Sequence, residues 1–175
     1  MINQARASEL ARAGFDLWQE GRLDEAVPLY REALKCVDPD HYGLDGYHLE
    51  FAAVLATLGR NDEAREQYEL GLEAAKRAEP QAQSPSVLIA RYFLSEHLLK
   101  VNAPKEALAV IEPALFVGSK QDWVLRMVQA KALWQLERRE ESRQSAEASI
   151  AAASSDEKRN QIRDELAFII KSSAD

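Results

Sequence analysis

Gly21-Arg22-Leu23-Asp24-Glu25-Ala26 and Gly59-Arg60-Asn61-Asp62-Glu63-Ala64 nearly spell one another, and the residues after them keep step: Tyr30, Ala33 and Leu34 after the first, Tyr68, Gly71 and Leu72 after the second. Self-similarity at a fixed offset is the mark of a repeat architecture, so it is weighed before any local pattern. On the same ruler a third copy falls at Asn102-Ala103-Pro104-Lys105-Glu106-Ala107, with Ile111, Ala114 and Leu115. A fourth, weaker copy is Glu137-Arg138-Arg139-Glu140-Glu141-Ser142, with Ala146, Ser149 and Ile150. Ahead of the four turns stand Gly14, Ala52, Ser95 and Ala130, each followed three residues on by Leu17, Leu55, Leu98 or Leu133.

Every copy therefore carries three small residues in register, which let two helices approach closely enough for the ridges of one to enter the grooves of the other. Each unit reads as two antiparallel helices joined by a short turn, residues 7–20 and 23–37 in the first. The pattern resembles the tetratricopeptide repeat family, whose 34-residue unit has small residues at its eighth, twentieth and twenty-seventh places. The resemblance covers residues 7–40, 45–78, 88–121 and 123–156. It implies an all-α fold, a right-handed superhelical solenoid of four hairpins forming a single domain over 1–175. The chain departs from the family where Leu10, His48, Arg91 and Arg126 replace the usual Trp of the fourth place, and where the turn glycine is lost in the last two copies.

Asp38-Pro39-Asp40 ends the first hairpin, its acids read as turn-formers that bond their own backbone. Pro80-Gln81-Ala82-Gln83-Ser84-Pro85 is the clearest interruption, a loop within one array, with Ser84 or Ser86 as cap of the next helix. After the fourth copy, Ser155-Asp156-Glu157-Lys158 opens a helix over 157–172, with Ile162, Leu166, Ile169 and Ile170 on one face. An open array of hairpins needs such a half-polar helix to cover its last apolar face. The same stripe could instead serve dimerisation.

Composition agrees with an all-helical chain: of 175 residues 46% are apolar and 29% charged, with seven Gly and six Pro. The net charge of -7, with Lys and Arg scattered among Glu and Asp, argues against nucleic acid as partner. The start, Met1-Ile2-Asn3-Gln4-Ala5-Arg6, lacks a leader's apolar core, and no stretch approaches the roughly 20 apolar residues of a membrane span, so no membrane partner and a cytoplasmic setting are expected. Cys36, the single cysteine, makes no internal disulfide and reads as a small buried apolar residue.

No catalytic constellation is visible. His41, His48 and His97 do not converge, Asp38, Asp40 and Asp45 lack calcium-loop spacing, and no phosphate-binding, nucleophile-elbow or CxxC motif occurs. The expectation is no enzyme, no cofactor and no metal. The charged run at 137–143 reads as a solvated helix start.

What remains is binding of another protein or peptide. In the family that the chain resembles, first helices line a concave groove and the second, fifth, ninth, twelfth and thirteenth places touch ligand. The resemblance carries those roles to Ser8, Ala11, Phe15, Trp18 and Gln19 with the adjoining Arg12, and to Gly46, Leu49, Ala53, Ala56 and Thr57 with the adjoining Glu50. It carries them also to Ile89, Tyr92, Glu96, Leu99 and Lys100, and to Val124, Met127, Lys131, Trp134 and Gln135. The family's carboxylate clamp of Lys and Asn is replaced here by Ala11 and Phe15. Trp18, Tyr92 and Trp134 are then the candidate anchors, with Lys100 and Lys131 available to an acidic partner. An adaptor, assembly factor or chaperone fits this pattern. So does a self-associating scaffold, a homo-oligomer that fills its groove or uses its C-terminal helix.

Overall fold

The computed structural model describes residues 2–115 and 122–171, and no strand occurs among them. The end of the expected third repeat, 116–121, and residue 172 of the expected terminal helix lie outside the described residues. The chain separates into two compact units, Met1–Gln81 and Ala82–Asp175, dividing inside the Pro80 to Pro85 segment. The first unit holds α1 (Gln4–Gln19), α2 (Leu23–Cys36), α3 (Leu44–Thr57) and α4 (Asn61–Ala78). The second holds α5 (Pro85–Lys100), α6 (Pro104–Ile111), α7 (Trp123–Gln135), α8 (Arg139–Ala152), α9 (Asp156–Glu165) and α10 (Ala167–Ile170).

One turn is built four times. Gly21, Gly59, Asn102 and Glu137 all have left-handed backbones, with φ of 76°, 74°, 60° and 61°. In each copy the left-handed residue donates its N–H three residues back and the next residue donates five back: Gly21 to Trp18 and Arg22 to Leu17, and likewise up to Glu137 to Trp134 and Arg138 to Leu133. That double bond is the Schellman motif, which satisfies carbonyls a helix end would leave orphaned. The glycine lost from the third and fourth copies is thus replaced in identity but not in conformation. Asn tolerates the left-handed well, whereas Glu is strained there.

The opposite side of the turn is tied by charge. Arg22 grips Glu25 with two bonds of 2.8 and 2.7 Å, and Arg60 grips Glu63 with two of 2.7 Å. Arg138 does the same with Glu141. Hydrogen bonds from the guanidinium groups hold all three carboxyls below their ordinary range.

All twelve small positions are buried. Gly14 lies flat against Tyr30, where an added Cβ would stand 3.0 Å from the ring, and Gly71 meets Leu49 the same way. In the last hairpin the two small residues on α8 are also polar, and they bond backbone across the crossing: Ser142 Oγ donates to the Ala130 carbonyl at 2.8 Å and Ser149 Oγ to that of Trp123 at 2.7 Å. Cys36, at the end of α2, is partly rather than fully buried.

Helix α6 is short because Pro113 has no N–H to continue the ladder; the chain tightens into a 3-10 turn over Glu112–Ala114. Arg91, buried at the family's Trp place, donates to the Val110 carbonyl at this early end. Asp38 accepts from the Asp40 N–H at 3.0 Å, as a turn-former should. Ser84 is the residue before α5, whose first residue is Pro85.

The terminal segment differs from one continuous helix. Ser155 caps α9 by accepting from the Lys158 N–H at 3.2 Å, and the helix breaks at Leu166 before resuming as α10. The break lets Ile162, Leu166 and Ile169 all bury in one core with Met127, Ala130, Ala146 and Ala153 of the last hairpin and the loop after it.

Candidate functional site

Within the first unit, α1 presents Arg12, Phe15 and Gln19 to solvent, and Phe15 meets Trp18 edge-on with centroids 5.7 Å apart. Ala11 and Leu49 are buried and serve the core of the unit. Glu50 is half-buried, accepts from Tyr30 Oη at 3.1 Å, and its carboxyl is raised by burial more than the tyrosine bond lowers it. Ala53 is half-buried beside it on α3.

The second unit gathers more. Three charges that lie 35 and 34 residues apart in sequence meet in a row: Lys131 Nζ stands 2.9 Å from Glu96 Oε1 and 2.5 Å from Glu165 Oε1. Burial opposes the charge on Lys131, but its bonds to Glu165 and Glu96 outweigh that and leave its pKa raised. Lys131 is thereby satisfied inside the unit. Lys100 is exposed at the tip of α5.

On one side of this row is a small cleft of about 250 Å³, walled by Leu99, Trp134 and Phe168 and rimmed by Lys100 and Gln135. Trp134 is held from two directions, edge-on by Phe168 at 5.5 Å and by the Arg139 guanidinium 3.7 Å over its ring. On the other side is a larger, predominantly apolar cleft of about 540 Å³ between the N-terminal half of α5 and the start of α7, walled by Leu88, Ile89, Tyr92, Phe93, Trp123 and Val124. Ile89 and Phe93 are 50% and 42% exposed there, and burial raises the Tyr92 hydroxyl. Met127, 3% exposed, lies under the face rather than on it.

Of the residues marked from sequence, Glu96, Leu99, Lys100, Lys131, Trp134 and Gln135 line one cleft and Ile89, Tyr92 and Val124 the next. Phe93 and Trp123 were not marked, nor were Glu165 and Phe168. The signal for the last two was present: continuing the register 34 residues beyond the fourth copy puts Glu165 at a ninth place and Phe168 at a twelfth, the places of Lys131 and Trp134.

Among the described residues no group of three His, Cys, Asp or Glu stands where it could hold a metal ion, and no helix is long and apolar enough to cross a membrane. His48 is half-buried, bonds Gln67 at 2.9 Å, and burial lowers its pKa.

No protein-family model and no curated protein matches the sequence. Solved structures do. A putative kinesin light chain of P. anserina with nearly identical TPR-like repeats superposes with a TM-score of 0.68 at 16% identity, covering 100% of each chain. The chain has the tetratricopeptide-repeat fold. BtubC from P. vanneervenii matches at 0.74 and 20% identity over 98% of this chain and 74% of that one. MamA from Desulfovibrio magneticus RS-1 matches at 0.69 and 18% over 94% and 83%. Within this fold, the two clefts lie between α5 and α7, successive first helices of the second unit.

Proposed function

We propose that the chain is a protein-interaction module that holds a peptide or protein segment on the face formed by α5 and α7, in the service of an adaptor, assembly factor or chaperone. The observation that carries this is the pair of apolar clefts flanking the Glu96–Lys131–Glu165 row, with Ile89, Phe93 and Phe168 all at least 42% exposed. Contiguous apolar walls with half-buried aromatic anchors are what interfaces use, whereas scattered exposed apolar residues need no explanation.

The test is affinity capture with the full chain, comparing wild type with the Phe93→Ala, Trp134→Ala double variant. Loss of the retained partner by more than about tenfold, at unchanged helical circular dichroism, is expected. Control changes on second helices, Glu66→Ala on α4 and Arg143→Ala on α8, leave capture nearly intact, because neither residue lies on the α5–α7 face. The competing occupant is a second copy of the chain. Mass that rises with concentration and is abolished by the same double variant would replace a foreign partner with self-association.

A further inference from the structure

The face has a charge pattern as well as a shape, and the pattern restricts the ligand. Resting on the proposed binding function, we infer that the α5–α7 face takes an extended segment with two large apolar side chains four residues apart and a Lys or Arg midway between them.

The spacing comes from the helices. The larger cleft is centred on Ile89, Tyr92 and Phe93 and the smaller on Leu99, about eight residues along α5, which at the helical rise is roughly 12 Å. An extended chain advances about 3.3 Å per residue, and its side chains at i, i+2 and i+4 lie on one side. Positions i and i+4 are then about 13 Å apart, a match to the two clefts, and position i+2 falls over the charged row.

The central charge comes from the row itself. One cation stands between two carboxylates, so the row carries a formal charge of -1, and the Glu165 side chain is 39% exposed and open to a further donor. A ligand ammonium or guanidinium there would complete two ion pairs, while a carboxylate would meet two like charges. Apart from Lys131, which the two carboxylates already outnumber, positive groups of the face lie toward its ends: Lys100 at the rim of the smaller cleft with Arg139 over its Trp134, and Lys158, whose Nζ is 4.9 Å from the ring centre of Trp123 in the larger one. A basic centre is therefore favoured over a basic end.

The experiment is selection of a randomised displayed nonapeptide library on the full chain, with parallel selection on Glu165→Gln and on Phe93→Ala, Trp134→Ala. The expected result is enrichment of clones with large apolar residues at i and i+4 and Lys or Arg at i+2. On Glu165→Gln the apolar pair persists and the basic preference falls at least fivefold. Clones that need Phe93 and Trp134 but carry an acidic or neutral centre overturn this inference and leave the binding face standing. Clones indifferent to Phe93 and Trp134 overturn the face itself.

Discussion

Glu137 is a turn residue whose chemistry opposes its conformation, and replacing it with glycine should stabilise the chain. Its φ of 61° matches Gly21 and Gly59 at 76° and 74°, and the Schellman bonds around it are the same as theirs. A left-handed backbone costs an L-residue about 1–2 kcal/mol, and glycine recovers this while giving back about 0.5–1 kcal/mol in unfolded-chain entropy. The net expectation for Glu137→Gly is a gain of roughly 0.5–1 kcal/mol. The Glu137 side chain is exposed, so little else changes with it. Glu137→Ala is the control, since alanine keeps the strain, and it should stay near wild type. Gly21→Ala runs the argument in reverse, with a net loss of roughly 0.5–1 kcal/mol. Urea unfolding followed by circular dichroism reads all three. If Glu137→Gly is no more stable than Glu137→Ala, the fourth turn is not left-handed and the fourfold equivalence of the turns is wrong.

Burial sets the remaining expectations for stability. Ala26→Leu and Ala107→Leu, both at fully buried crossings, should each cost roughly 1–3 kcal/mol by overpacking, read as a lowered denaturant midpoint. Leu166→Ala, at a fully buried break between α9 and α10, should cost about 2–5 kcal/mol, and an unchanged melt would show that the terminal helices do not cover the last hairpin. Lys131→Ala should destabilise the second unit, because Glu96 and Glu165 lose the cation between them, and Lys131→Arg should restore most of the loss in the same melt.

The parts of the fold legible in sequence are those that steric necessity writes locally. A crossing that admits only Gly, Ala or Ser announces itself, as at Gly14, where Tyr30 leaves room for no larger atom. The Asp38 turn and the Ser155 cap were legible for the same reason, each being a bond between near neighbours. The left-handed backbone at Glu137 was hidden because glutamate is not a turn-former; only its register with Gly21 discloses it. The charged row was hidden because its members come from α5, α7 and α9, and each taken alone looks like an ordinary solvated charge. The wall made by Phe93 and Trp123 was missed because their places in the unit are not ligand places in the resembled family.

The last prediction concerns pH, and it separates two kinds of carboxylate by the direction of their shifts. Glu50 is half-buried with the Tyr30 hydroxyl as donor, and burial raises it above the ordinary value of about 4.3. The folded state therefore binds this proton more tightly than the unfolded chain does. The ionised form penalises folding at neutral pH, and the penalty fades as pH falls through the raised value toward about 4.3. Glu25, Glu63 and Glu141 are lowered by their arginine bonds, so their stabilisation is complete above about 4.3 and is lost only as pH falls below it. The two windows do not overlap. Stability measured by urea unfolding should thus rise as pH falls from neutrality toward about 4.3 with a contribution from Glu50, and fall on further acidification with contributions from the arginine-bonded three. Glu50→Gln should flatten the upper limb and leave the lower one unchanged. Glu25→Gln should do the opposite. Tyr30→Phe removes the hydroxyl that donates to Glu50, which raises that carboxyl further, so it should steepen the upper limb in addition to any uniform loss from repacking against Phe51. An upper limb that survives Glu50→Gln intact would mean that the rise reflects relief of the net charge of -7 rather than this buried carboxyl.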